Sequence, residues 1–255
     1  MDAEKALFSL GASTVARKAP RAGSVERVGR EDQVKLDAGV RRRLACRSLQ
    51  VRRNQSMNTS SFLTKYEAEF AHRLGERKEG FRFLFQQLEA KSKRRYNILE
   101  TGSVRHVGNW EGDGQSTILF DSFINFHDGM LFSIDLNVDS TAASRRSTSA
   151  KTHCICSDSV RFIKDLGRLS DGGLRFDLLY LDSFDVDFSN PAPSSFHHIK
   201  EILAMGTTVD GLIVAIDDNI EIEGKLIGKG GMAYEYFSDL GIDPIYRGYQ
   251  LIWQL

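Results

Sequence analysis

The chain has 255 residues, of which 41% are hydrophobic, and its formal net charge at pH 7 is zero. This length and composition fit one sizeable α/β domain with an appended segment. No apolar run approaches the roughly 20 residues that a membrane-spanning helix needs, and the N-terminus lacks the apolar core of a secretory signal. We therefore expect a cytoplasmic protein with no membrane partner.

Charge is unevenly distributed along the chain. Residues 1–56 contain 13 basic and 6 acidic residues, among them the run Arg41 to Arg43, so the remainder of the chain is acidic. The sequence predicts a basic, disordered N-terminal extension over residues 1–56. Three interpretations stay open: an arm that binds nucleic acid or an acidic surface, an organellar transit segment, or an upstream extension of a protein that starts at Met57.

Residues 57–95 have the pattern of N-terminal amphipathic helices. Apolar side chains recur at spacings of three and four, from Phe62 and Tyr66 to Phe81 and Phe85. Such aromatic stripes usually pack against a sheet or a neighbouring subunit, and a substrate lid is the alternative. A homodimer contact through these helices is therefore one hypothesis.

Residues 96–255 alternate between short apolar runs and helical patterns. Five runs, at Asn97–Leu99, Met130–Asp135, His153–Cys156, Leu178–Leu181 and Gly211–Asn219, predict parallel strands covered on both faces. The fifth strand is expected to end in Asp217, Asp218 and Asn219. A polar stretch, Ser140 to Lys151, connects the second run to the third. Two further strand-like runs, GIDPIYRG and YQLIWQL, end the chain. They are joined only by Arg247–Gly248, which is too short for a helical crossover, so the final strand must be antiparallel. The prediction is an α/β, doubly wound, Rossmann-like sheet of seven strands with helices on both faces.

A glycine-containing loop follows the first strand. Gly102, Gly108, Gly112 and Gly114 precede a helical pattern that opens at Ser116–Thr117. Glycines let a backbone approach a ligand, and the amide groups of the following helix face it. This strand, loop and helix are typical of a nucleotide site.

Five segments together resemble the class I S-adenosylmethionine-dependent methyltransferases over roughly residues 95–255. They are ILETGS, FSIDLN, CSDSVRFI, LLYLDSFDVD and VAIDDN, in that order. The resemblance implies S-adenosylmethionine as cofactor. It also implies that Asp135, at the end of the second strand, binds the ribose hydroxyls of this cofactor. It implies these further cofactor contacts: Glu100, Thr101, Gly102, Ser103, Gly114, Ser116, Thr117, Asp158 and Ser159. The chain departs from the family in the long insert VRHVGNWEGDG, which replaces the compact glycine motif.

Acids at the strand ends suggest a metal. Asp182, Asp218 and Asn219 stand where the chain is similar to catechol-type small-molecule O-methyltransferases, which hold a divalent cation there; the cephalosporin-hydroxylase-like relatives are also similar. Such oxygen ligands suit Mg²⁺, which would lower the pKa of a substrate hydroxyl. The alternative is that these acids cap helices or end a strand.

Other side chains allow two interpretations each. Asp182, His197 and His198 are candidate catalytic residues, although either histidine could simply pack. Lys229, in a Gly-Lys-Gly-Gly run, could bind an anion or form a turn. Trp110 could stack on a ligand, whereas Trp253 is expected in the core.

We therefore expect an O-methyltransferase for a small molecule or glycan. An NAD(P)-dependent oxidoreductase is the first alternative, which the terminal antiparallel hairpin and the lack of a compact GxGxxG argue against. A non-catalytic binding module of the same fold is the second. The acidic folded part argues against nucleic acid as a substrate.

Overall fold

The computed structural model describes residues 61–110, 112–113, 115–169, 174–206 and 210–255. The predictions for residues 1–56, for a start at Met57 and for Gly114 lie outside the described residues. None of the described helices is long and apolar enough to cross a membrane.

Seven α-helices are present in the described residues. They are α1 Phe62–Glu69, α2 Arg77–Ala90, α3 Ser116–His127, α4 Val138–Ser147, α5 Ser159–Leu169, α6 Ala192–Met205 and α7 Gly231–Asp239. A short 3-10 turn, Ala71–Arg73, separates α1 from α2.

Within the described ranges, nine strands form two sheets. They are β1 Tyr96–Thr101, β2 Gly129–Asp135, β3 Thr152–Cys156, β4 Leu178–Leu181, β5 Ile213–Ile216, β6 Asn219–Ile222, β7 Lys225–Gly228, β8 Tyr246–Arg247 and β9 Leu251–Gln254. The large sheet has the order β3-β2-β1-β4-β5-β9-β8, with β1 to β5 parallel and β9 antiparallel to both of its neighbours. The predicted seven-stranded, doubly wound sheet is confirmed.

The two faces of the sheet carry two apolar clusters. One face is covered by the aromatic side chains of the first helices, where the rings of Phe81 and Tyr180 stack at 5.5 Å and those of Phe85 and Phe123 at 5.3 Å. On the other face Trp253 is fully buried against Phe237, as the sequence predicted. The aromatic stripe of α1 and α2 thus packs on the chain's own sheet, and a homodimer stays a prediction.

Helix α4 was not predicted, because its sequence lacks an apolar stripe. The side chain of Asn137 caps it by accepting from the backbone N–H groups of Asp139 and Ser140, at 2.7 and 3.3 Å. Its buried face consists of small residues, and Ser144 donates to the carbonyl of Val104. Small polar side chains whose hydrogen bonds are satisfied can be buried at little cost, so hydropathy alone misses such a helix.

The β6–β7 hairpin also differs from the sequence prediction. The fifth strand was expected to end in Asp217, Asp218 and Asn219, but β5 ends at Ile216 and Asn219 begins β6. Asp218 has a positive φ of 55°, so it turns the chain between the two strands. The hairpin returns the chain to the end of β5, where Lys229 meets the strand-end acids.

Candidate functional site

A cleft of about 190 Å³ opens at the carboxyl ends of the parallel strands. It lies next to β1, which pairs with β2 on one side and with β4 on the other. The chain connections on the two sides of β1 therefore run in opposite directions across the sheet. This is the place where open α/β sheets bind ligands. The cleft is lined by Arg77, Gly102, Ser103, Arg105, Gly112, Asp113, Ser116, Asp135, Asn137, Ser140, Asp182, Ser183, Asp185 and Asp218.

Gly102 lets the loops after β1 and β4 approach each other closely. Its φ is +84°, and a Cβ at this position would lie 2.4 Å from the carbonyl oxygen of Asp182. Both the dihedral angle and the space therefore require glycine. The contact brings the end of β1 against Asp182 at the floor of the cleft.

Glu100 is fully buried below the cleft and does not line it. Its Oε2 accepts hydrogen bonds from the hydroxyl groups of Thr117 and Ser133, at 2.8 and 2.7 Å. Burial raises the pKa of Glu100 to about 7, although these hydroxyls oppose the shift. Glu100 and Thr117 therefore act as supports of the loop, while Thr101 is buried beside them.

Two side chains organise the described residues of the insert after β1. Gln115 accepts from the backbone N–H of Gly108 at 2.9 Å and donates to the carbonyl of His106 at 3.0 Å. Asp113 accepts from the N–H of His106 at 2.7 Å and pairs with Arg105. The loop places Arg105, Gly112 and Asp113 on the cleft, in place of the compact glycine motif.

Trp110 packs on the N-terminal helical segment. Its ring stacks on Phe70 at 5.9 Å, and the guanidinium of Arg73 lies over it at 4.1 Å. Trp110 does not line the cleft. The structure thus gives Trp110 a packing role in which it fixes the insert.

Asp135 lies at the cleft with a fixed carboxylate. Oδ2 accepts from the backbone N–H of Ser103 at 2.9 Å, and Oδ1 accepts from that of Asn137 at 2.7 Å. Ser116, at the start of α3, lines the same cleft. Of the predicted cofactor residues, the structure brings together Gly102, Ser103, Ser116 and Asp135.

Asp158 and Ser159 lie outside this cleft. Asp158 accepts from the backbone N–H of Arg161 at 2.8 Å, in the first turn of α5. Ser159 Oγ lies 3.1 Å from His197 Nε2. Both contacts are made within the protein itself. A contact of Asp158 or Ser159 with adenine stays a prediction.

The two histidines also lie outside the cleft. His197 Nε2 is 3.3 Å from Glu201 Oε1. His198 is fully buried, with Nδ1 2.8 Å from the carbonyl of Ser194, and burial lowers its pKa to about 4. The position of His198 fits a packing role, and a catalytic role for either histidine stays a prediction.

Three aspartates and two cations form the strand-end cluster, which consists of Asp182, Asp217, Asp218, Arg77 and Lys229. Arg77 binds Asp217 Oδ2 through Nε at 2.6 Å and Asp218 Oδ1 through Nη2 at 2.7 Å. Lys229 Nζ contacts Asp182 Oδ1 and lies 2.7 Å from Asp218 Oδ2. Burial raises the pKa of Asp217, which is 1% exposed.

Other groups of the protein already engage the predicted metal ligands. Asp182, Asp217 and Asp218 each bring an oxygen within 4.8 Å of the others, which is a spacing that a cation can bridge. Both oxygens of Asp218, however, already bind the two cationic side chains. Asn219 is also occupied, since Oδ1 accepts from the N–H of Gly230 at 2.7 Å. The expected Mg²⁺ site is therefore filled by protein cations.

The sequence did not reveal Arg77 or Lys229 as parts of this site. Arg77 lies 140 positions from Asp217, so no local pattern connects them. Lys229 stood in a run that is typical of a turn or an anion site. Asp185 also lines the cleft and pairs with Arg105 at 2.9 Å.

No protein-family model and no curated protein sequence matches the chain. Solved structures do match. The chain is similar to YjhP from E. coli, with 17% identity and a TM-score of 0.38 over 64% of this chain and 65% of that one. It is similar to human methyltransferase-like protein 13 in complex with SAH, with 12% identity and a TM-score of 0.40 over 76% and 81% of the two chains. It is also similar to a TehB-like SAM-dependent methyltransferase from Corynebacterium glutamicum, with 12% identity and a TM-score of 0.34 over 66% and 83%.

The chain spans 65% of YjhP, slightly less than two thirds. The fold assignment depends on the topology of the sheet itself and not on these distant likenesses. Five parallel strands followed by an antiparallel pair, with β9 inserted between β5 and β8, give the chain the class I methyltransferase fold.

Proposed function

We propose that the protein is an S-adenosylmethionine-dependent methyltransferase that methylates a hydroxyl group of a small molecule or sugar. The observation that carries this proposal is the charge of the cleft. Five aspartates and two arginines line it, which leaves an excess of three negative charges when all are ionised. Lys229 and Asp217 are buried and do not line the cleft. Because their charges are opposite, they change the net charge near the cleft little.

An acidic cleft selects a cationic ligand. S-adenosylmethionine has a sulfonium, an ammonium and a carboxylate, and so carries one net positive charge at neutral pH. A nicotinamide dinucleotide instead carries an anionic pyrophosphate, which needs N–H donors and positive charge. The same acids that favour the sulfonium compound therefore disfavour the oxidoreductase alternative.

Within the cleft, different residues are expected to contact different parts of S-adenosylmethionine. Asp135 accepts from the ribose hydroxyls, as a fixed carboxylate at the end of β2 is able to do. Gly102 and Ser103 border the methionine part, next to Ser116 at the start of α3. S-adenosylmethionine supplies an electrophilic methyl group, so the protein mainly has to position the acceptor and exclude water.

The acceptor is expected beside this position. A second depression of about 280 Å³ shares Arg77, Arg105, Gly112, Asp185 and Asp218 with the cleft, and it adds Val186, Phe188 and Tyr249. Mixed aromatic and charged walls suit a small hydroxylated molecule. Asp182 lines the adjoining cleft and is the candidate acceptor of the hydroxyl proton.

The test is calorimetric titration of S-adenosylmethionine into the full chain, its Asp135→Ala variant and a control, Asp139→Ala. Asp139 is exposed in the first turn of α4 and does not line the cleft. We expect a dissociation constant of about a micromolar for wild type and the control, and at least about a hundredfold weaker binding for Asp135→Ala.

Two results would overturn the proposal. One is heat with NAD⁺ and none with S-adenosylmethionine, which would favour the oxidoreductase. The other is binding that Asp135→Ala leaves unchanged, because the cofactor would then lie elsewhere. If S-adenosylmethionine binds as expected, hydroxylated acceptors are then screened with radiolabelled methyl donor.

A further inference from the structure

Lys229 is a buried lysine at the end of the β6–β7 hairpin. It is only 1% exposed, and its backbone N–H donates to the carbonyl of Asp218 at 3.2 Å. The preceding Gly228 allows this approach, since a Cβ there would lie 2.2 Å from the same carbonyl oxygen. The backbone geometry therefore delivers the lysine side chain to the strand-end acids.

The carboxylate oxygens of the cluster are mostly committed to cations. Lys229 binds Asp182 Oδ1 and Asp218 Oδ2. Arg77 binds Asp218 Oδ1 and Asp217 Oδ2. Four of the six oxygens are thus engaged, and three carboxyl groups face two cationic side chains.

The lysine and the acids occupy different sides of the wall. Asp182 and Asp218 line the cleft, whereas Lys229 is not part of its lining. The ammonium group therefore holds the two carboxylates from behind and leaves them facing the ligand. Removing one partner of such a buried ion pair is strongly destabilising, because the other charge is then left buried and unpaired.

We propose that the Lys229 ammonium is a built-in replacement for a divalent cation, bridging Asp182 and Asp218 so that the site works without a metal. Lys229 is then a positioning residue, since it touches the acids and not the ligand. The inference depends on the proposed function only for the nature of the ligand, because the bridging of the acids can be measured with a metal alone.

The test is a Mn²⁺ titration of the full chain without cofactor, followed by electron paramagnetic resonance of the free ion. Wild type is compared with Lys229→Met, in which the side chain is unbranched, one atom shorter and uncharged. A third protein, Lys229→Met with Asp182→Asn, lacks one of the bridged acids. Far-UV circular dichroism checks that each variant is folded.

We expect wild type to bind no Mn²⁺ at the site. Lys229→Met is expected to gain one site per chain, at least about tenfold tighter than any wild-type binding, and the added Asp182→Asn substitution is expected to remove it. Wild-type Mn²⁺ binding that Asp182→Asn abolishes would overturn the proposal. A folded Lys229→Met variant that gains no site would overturn it too.

A second measurement applies if Lys229→Met does not fold. S-adenosylmethionine is titrated into wild type with EDTA and then with Mg²⁺. Equal affinities support the proposal, and an affinity at least about tenfold higher with Mg²⁺ would overturn it. If S-adenosylmethionine does not bind at all, the proposed function fails, and the wild-type Mn²⁺ titration still decides the metal question.

Discussion

Arg77 Nε lies 2.6 Å from Asp217 Oδ2, which joins the start of α2 to the end of β5 across 140 positions of the chain. The carboxylate is 1% exposed and the arginine side chain 13%. The same guanidinium lies over the ring of Tyr249 at 4.9 Å. Arg77 therefore stabilises the wall of the cleft as well as lining it.

We expect Arg77→Met to destabilise the protein by about 3 kcal/mol at about pH 8, since it leaves buried acids unpaired. The measurement is urea unfolding. The control is Arg82→Met, which breaks the exposed pairs of Arg82 with Glu67 and Glu79 and is expected to cost less than about 1 kcal/mol. Equal losses in the two variants would show that the Arg77 pair is solvated and adds little.

Glu100 is expected to make stability fall as pH rises. Burial raises its pKa from 4.5 to about 7, so the folded state holds the proton more tightly than the unfolded state. The resulting stabilisation is fully present below about pH 4.5 and is lost as pH rises to about 7. The size of the effect is about 3 kcal/mol.

Glu100→Gln isolates this contribution, because glutamine keeps the shape and cannot ionise. We expect the stability of wild type relative to Glu100→Gln to decrease by about 3 kcal/mol between about pH 4.5 and about pH 8. Urea unfolding of both proteins at the two pH values measures it. A constant difference would mean that the pKa of Glu100 is the same in the folded and the unfolded protein.

The elements that sequence patterns predicted are those with a local signal. Apolar runs predicted the five parallel strands, and the short connection at Arg247–Gly248 predicted the antiparallel end. Asp135 ends β2 and Asp182 directly follows β4, and both line the cleft. Parallel strands bring their carboxyl ends to one edge, so position along the chain suffices there.

The parts that sequence patterns missed depend on distant contacts. Helix α4 buries small polar residues whose partners lie on other elements, such as Ser144 with Val104. Lys229 looked like a turn residue, and only the β6–β7 hairpin shows that it meets Asp182. The cations that occupy Asp218 were missed for the same reason, since they lie far away in the sequence or after an unpredicted hairpin.

The charge of the cleft leads to a prediction about salt. S-adenosylmethionine carries one net positive charge, whereas S-adenosylhomocysteine, which lacks the methyl group, carries none. Raising NaCl from about 50 mM to about 500 mM is expected to weaken binding of the first about three- to tenfold, and of the second less than about twofold. Calorimetry at both salt concentrations measures it. Equal salt dependence would contradict the role assigned to the acidic lining.

Two glycines of the loop after β1 allow the cost of backbone strain to be distinguished from the cost of a steric clash. Gly102 and Gly108 have similar φ angles of +84° and +89°, but a Cβ at Gly108 has no atom within 4 Å. Alanine at either position adopts an unfavourable backbone conformation, which costs of the order of 1–2 kcal/mol. Only at Gly102 would the new methyl group also collide with the Asp182 carbonyl, at 2.4 Å.

Gly102→Ala is therefore expected to lose at least about 2 kcal/mol more unfolding free energy than Gly108→Ala, because the loops after β1 and β4 must separate. The separation should also move Asp182 at the floor of the cleft and weaken S-adenosylmethionine binding, whereas Gly108→Ala should bind nearly as wild type does. Urea unfolding and calorimetry of both variants measure the two effects. Equal stability of the variants would show that the loops can separate without loss, and the close approach of Gly102 to Asp182 would then not be what shapes the cleft.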